Sequence, residues 1–138
     1  MLERFTLGAR TLAIVAPEAL AEVGPEVSGP CAAMLPAIED ADALRAPSLA
    51  GELVRMGSAE ICCVGPHAET VHDLVDEVVE DLDALSVVTT WHVEMSEGCE
   101  YFISTAGARP ALLVAIVAER NDLANLLRSM VLAKMRER

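Results

Sequence analysis

Three histidines, four cysteines and one arginine-bearing turn are the residues of this sequence whose types offer chemistry. His67 follows a Gly65-Pro66 pair, His92 closes a Thr-Thr-Trp run, and Glu94, Glu119 and Arg120 stand just after short apolar stretches. A His67/His92 pair with Glu94 or Glu119 has the composition of a divalent-metal site, or of an acid–base pair whose charge state changes near neutrality. Solvent-facing loop histidines look the same in a sequence, and no HxH or HExxH spacing argues for ligation. The catalytic candidates are therefore His67, His92, Glu94 and Arg120, with no resident metal or cofactor expected.

Other chemistries are weaker. Arg120 could hold a single carboxylate or phosphate. A dinucleotide loop needs three glycines where Val64-Gly65-Pro66-His67 has one, Pro66 removes a backbone donor, and Ala16-Pro17-Glu18 puts a carboxylate where a pyrophosphate would lie. Cys99 could act as a thiolate near a helix start with His92 as base, yet it also opens an apolar stripe and reads as core. Cys62 and Cys63 are adjacent, so a strand would turn them to opposite faces as small buried hydrophobes. His72 reads as a helix-flank residue. Trp91 reads either as a cap on the core or as an anchor for a partner, the core reading being preferred.

These residues need elements to hold them, and hydrophobic periodicity supplies an alternating order. Thr11–Ala16, Ala59–Val64, Val87–His92 and Pro110–Ala118 are short apolar runs of the kind that form strands covered on both faces. Between His67 and Leu85 the apolar residues Val71, Leu74, Val75, Val78, Val79 and Leu82 recur at helical spacing, with acidic residues between them. Further helices are predicted over Ser48–Gly57, from Ser96 to about Gly107, and from Asn121 or Asp122 to the end.

Strands alternating with helices imply a three-layer α/β/α sandwich around a mainly parallel sheet of four or five strands. The run with Thr89, Thr90 and His92 is the least apolar and belongs at an edge, which gives a Rossmann-like order 3-2-1-4; the alternative is a flavodoxin-like 2-1-3-4. Leu2–Leu7 is a candidate antiparallel edge strand. Residues 17–47 hold five of the seven prolines and read as an irregular connection in a single domain spanning 1–138.

Charge narrows the function classes. The 138 residues carry 22 acidic and 10 basic side chains, a formal charge of −12. Nucleic-acid and anionic-membrane partners are disfavoured for want of a basic footprint, and four aromatic residues cannot furnish base-stacking platforms. No apolar run is long enough to span a membrane, and the N-terminal run is broken by Pro17 and Glu18, so a cytoplasmic chain with reduced thiols is expected.

The excess is local. Residues 56–108 contain 11 acidic residues and no Lys or Arg, whereas residues 109–138 are net basic. Glu69, Asp73, Asp76, Glu77, Glu80 and Asp81 would form the outer face of the 67–85 helix and a docking surface for a basic partner. The expectation is an acidic binding or regulatory module, of the kind immunity and antitoxin proteins represent by charge alone. The alternative is a small enzyme or ligand-binding domain using the strand-end rim. The aliphatic last helix, with Met130, Val131, Leu132 and Met135, is compatible with a homo-oligomer.

Overall fold

The computed structural model describes residues 2–23, 30–104, 106 and 112–137. Six strands and five α-helices follow one another along the chain: β1 (Leu2–Leu7), β2 (Arg10–Val15), a 3-10 turn (Pro17–Ala19) running into α1 (Leu20–Val23), β3 (Cys31–Pro36), α2 (Asp40–Arg55), β4 (Ser58–Val64), α3 (Ala68–Asp81), β5 (Val88–His92), α4 (Met95–Ser104), β6 (Leu112–Ala115) and α5 (Asn121–Arg136). They form one sheet in the order β1-β2-β6-β3-β4-β5, with β1 antiparallel to β2 and every other pair parallel.

Alternation along the strands builds two cores. Ala13, Val15, Leu35, Ile61 and Cys63 face Leu20, Leu49, Leu53, Val71 and Val75 of α1, α2 and α3. Leu12, Ile14, Met34, Cys62 and Leu113 face Cys99, Phe102, Leu123, Leu127 and Val131 of α4 and α5. Phe102 is the largest side chain in either layer that is wholly enclosed. Helices thus cover both faces, as the near-continuous apolar strands require. Among the described residues no helix is long and apolar enough to cross a membrane.

The expected strand count and order need correction. Six strands are present, not four or five, and neither 3-2-1-4 nor 2-1-3-4 describes them. Two local expectations hold: Val88–His92 lies at an edge, and Leu112–Ala115 pairs with Arg10–Val15. The miss is β3, which lies inside the 17–47 segment read as irregular and separates β6 from β4. Its sequence, Cys-Ala-Ala-Met-Leu-Pro, lacks β-branched residues and ends in proline, so propensity argues against a strand. All six residues are nonetheless buried. Pro36 is tolerated because it closes the strand, where the loss of one N–H breaks no continuing ladder.

The same segment hides the start of α2, which begins at Asp40 rather than Ser48 and runs through Pro47. An interior proline costs about 3 kcal/mol. Burial of Ala46, Leu49, Ala50 and Leu53 on either side of it offsets that cost.

Candidate functional site

In a sheet of this kind, a crevice opens where neighbouring parallel strands send their chains to opposite faces. Here the chain leaves β3 for α2 on one face and β6 for α5 on the other. Just beyond these strand ends lies an open groove of about 320 Å³ lined by Ile38, Glu39, Glu119, Arg120, Asn121 and Asp122.

Arg120 is the cation of this crevice, and it is already engaged. Its Nη2 and Nε donate to Asp42 Oδ1 at 2.7 and 3.0 Å, and Nη1 lies 3.4 Å from Glu39 Oε2. Asp42 is almost fully buried and also accepts the backbone N–H groups of Ile38 and Glu39 at 2.9 and 3.0 Å, closing a capping box at the start of α2. Burial pushes the Asp42 carboxyl up, but Arg120 and the two backbone donors outweigh it and hold the group below the usual aspartate value. Arg45 closes the rim with a 2.7 Å ion pair to Glu119. With Glu39, Glu119 and Asp122 around the opening, the groove's surplus charge is negative.

The two rim histidines lie apart from this pair. His67 is exposed and caps α3, its backbone N–H donating to Ala37 O at 2.8 Å. Gly65 before it has φ of +140°, and a Cβ there would stand 2.4 Å from the Ala37 carbonyl oxygen, so only glycine fits this approach of the β4 end to the β3 end. His92 stacks on Tyr101 of α4, ring centroids 4.8 Å apart, with Nε2 buried and unpartnered. Glu94 is exposed at the start of α4. Among the described residues no hydrogen bond or ion pair joins any two of His67, His92, Glu94 and Arg120.

A polar cluster centred on Glu60, which the sequence did not single out, lies beneath α4. Glu60 is buried on β4, and its Oε2 accepts Tyr101 O–H at 2.6 Å, Thr90 O–H at 3.2 Å and the Cys62 thiol at 3.2 Å. Three donors converging on one carboxylate oxygen keep a buried charge satisfied. Burial, then Glu60, raises the Tyr101 hydroxyl above the usual tyrosine value. The spacing Glu60-x-Cys62 on one strand and Thr90-x-His92 on its neighbour is a period-two signal visible only once the strands are paired.

All four cysteines are free and buried. Burial raises the Cys63 and Cys99 thiols to about 12, the first also by the charge of Asp76. Cys62 and Cys63 do face opposite layers, and Cys99 sits in the core of the α4 side. An inert thiol is what such burial produces.

The opposite corner of the sheet is the most exposed apolar and acidic part of the described chain. Val71, Val75 and Val79 of α3 are buried, while Glu69, Asp73, Glu77, Glu80 and Asp81 are exposed. Asp76 is the exception on the acidic face: it turns toward β5 and accepts Thr89 O–H at 2.5 Å. Beside this helix, β5 ends the sheet, with no neighbour on its outer side among the described residues. Five of the eight exposed large hydrophobic side chains fall within twelve residues here: Leu82, Leu85, Val88, Trp91 and Val93. Trp91, preferred as a core residue from its sequence, is 43% exposed, because the alternation that buries Cys63 on the neighbouring strand leaves the edge strand's matching residue uncovered. Its ring lies 6.4 Å from that of His72.

Comparison with known proteins adds one assignment. No curated protein matches the chain. Residues 10–132, which run from the first residue of β2 into α5 and so take in both the crevice and the acidic edge, match the family described as "Domain of unknown function (DUF7684)", and the chain belongs to that family.

Proposed function

We propose that this chain is a cytoplasmic binding module that docks a basic protein segment along α3 and the open edge of β5. The observation that carries the reading is the coincidence of three properties at one corner: exposed carboxylates, exposed apolar side chains and a strand whose outer edge has no neighbour among the described residues. Four of the chain's ten Lys and Arg side chains form ion pairs away from this corner. Among the described residues Arg45 pairs with Glu119, Arg120 with Asp42 and Glu39, Arg128 with Glu3, and Lys134 with Glu100. Exposed and closely spaced on one helix, the α3 carboxylates would steer and orient a basic partner.

An exposed edge strand that is apolar and uncharged is ordinarily protected against pairing with other chains. Here Val88-Thr89-Thr90-Trp91-His92 has no Lys, Pro or inward charge. Such an edge supports strand addition by a partner, with backbone hydrogen bonds supplying affinity and Trp91 an anchor. Two copies pairing edge to edge would bring two acidic α3 helices together, which favours a basic partner over a second copy at this corner.

The test is affinity capture from cell extract at low salt, comparing the native chain with the quadruple charge reversal Glu69→Lys, Glu77→Lys, Glu80→Lys, Asp81→Lys. A basic protein retained by the first, lost by the second and released as salt rises supports the reading. Retention that is indifferent to salt and to charge reversal overturns it.

A second reading is favoured by the crevice at the ends of β3 and β6. Because Arg120 is committed to Asp42 and the remaining lining is acidic, that groove suits a small cationic ligand rather than a carboxylate or phosphate. Saturable binding of a polyamine, abolished by Asp122→Asn with Glu119→Gln, would favour this over protein docking.

A further inference from the structure

His72, read from the sequence as a flank residue, sits in an arrangement that its own hydrogen atoms cannot complete. Thr89 Oγ1 lies 2.5 Å from Asp76 Oδ1 and 3.1 Å from His72 Nε2. A hydroxyl has one proton, and an aspartate near neutral pH has none to give, so at 2.5 Å the Thr89 proton goes to Asp76. Thr89 must then accept from His72, which places the imidazole hydrogen on Nε2.

In the neutral imidazole the other ring nitrogen, Nδ1, then carries the lone pair. His72 Nδ1 lies 3.6 Å from Asp73 Oδ1 and 3.6 Å from Asp76 Oδ2. These separations exceed hydrogen-bond length, so a proton on Nδ1 would bond neither carboxylate well. They fit a shared cation instead. Ligand atoms at about 2.1 Å from a tetrahedral zinc ion lie about 3.4 Å from one another.

We propose that His72 Nδ1, Asp73 and Asp76 bind a divalent transition-metal ion, zinc foremost, on the β5-facing flank of α3, with water completing the coordination. Among the described residues this is the one group of His, Cys, Asp and Glu side chains whose donor atoms lie within 4.8 Å of one another. Its parts have separate origins in the sequence. Residues 72 and 76 are one helical turn apart and so lie on one side of α3, and Asp73 joins them from the adjacent position. Thr89 comes from β5, aligned by the parallel pairing of β5 with β4. It plays the orienting part that a hydrogen-bond acceptor plays behind most metal-bound histidines, fixing the tautomer and the ring plane. The His72 side chain is 17% exposed and Asp73 76% exposed, so the site opens to solvent through Asp73 while its nitrogen is held firmly. The ion's class follows from the donors: imidazole with carboxylates suits zinc and its first-row neighbours better than calcium or magnesium, which prefer oxygen alone. The site shares α3 with the docking surface, but Glu69, Glu77, Glu80 and Asp81, the residues reversed in the docking test, take no part in it, so the two readings fail separately.

Titration of the untagged, chelator-treated chain with zinc chloride in a calorimeter tests it. The expected result is one equivalent of saturable uptake, accompanied by a change in the fluorescence of Trp91, the sole tryptophan. Uptake should fall at least tenfold in His72→Ala and in Asp73→Asn; the second variant alters a solvent-facing side chain and leaves the fold unaffected. Thr89→Val, which removes the orienting hydroxyl, should weaken binding by about 10–100-fold. Glu80→Gln should leave it unchanged. No saturable uptake, or uptake equal in native chain, His72→Ala and Asp73→Asn, would overturn the proposal.

Discussion

Arg120 and Asp42 stand 78 positions apart in sequence and meet at 2.7 Å, joining the turn after β6 to the first turn of α2. The contact ties the two strand ends between which the sheet sends its chain to opposite faces, and it fills the place where a ligand's anionic group would otherwise find a cation. A residue first suspected of binding substrate is thereby part of the scaffold.

Breaking this pair should be costly. Asp42→Ala removes the partner of a mostly buried guanidinium and two capping bonds at once, so a loss of about 3–5 kcal/mol is expected, read as a lowered denaturant midpoint with unchanged slope.

The pair also sets a pH dependence. Because folding lowers the Asp42 pKa, its contribution is fully present above the ordinary aspartate value of 3.8 and is lost as pH falls below that toward the folded value. Denaturant melts between pH 5 and pH 2 should show the native chain losing stability more steeply than Asp42→Asn in the lower half of that range.

Tyr101 offers the alkaline counterpart. It is the sole tyrosine, and folding raises its pKa above the ordinary value of 10.0, so its contribution is complete below pH 10 and declines as pH rises above it. Absorbance at the phenolate wavelength should titrate later in the folded chain than in denaturant. Tyr101→Phe, leaving Glu60 with one donor fewer, should cost about 1–3 kcal/mol.

The thiols should be silent. With all four cysteines buried, and burial holding the Cys63 and Cys99 thiols near 12, a chromogenic disulfide reagent at pH 8 should label the native chain slowly and all four sites at once on unfolding. Fast stoichiometric labelling of Cys99 in the native chain would revive it as a nucleophile.

Trp91 separates binding from folding. Being 43% exposed on an edge strand, it should tolerate Trp91→Ala with less than about 1 kcal/mol of destabilisation, while affinity for a docked basic segment falls by tenfold or more. Equal loss of stability and binding would make it a structural residue.

Much of the architecture was legible because its physical cause is local. The α3 stripe of Val71, Val75 and Val79, the opening of α5 at Asn121, the opposed faces of Cys62 and Cys63, and the edge position of the Thr-rich strand all follow from periodicity and polarity over a few residues. The local charge imbalance was equally plain, since net charge needs no coordinates. What the sequence concealed depends on neighbours far along the chain. β3 is a strand because β6 and β4 flank it and two helical layers bury it, not because Cys-Ala-Ala-Met-Leu-Pro favours extension. Arg120 is a scaffold residue only because the crevice brings it to Asp42, and Trp91 is exposed because, among the described residues, β5 ends the sheet. The hydrogen-bond partners of His72 are set only where Thr89 of β5 meets Asp76 of α3. Amphipathic pattern and charge are properties of a segment, so the sequence determined them alone; strand neighbours and proton ownership are properties of pairs, and only the tertiary structure decided them.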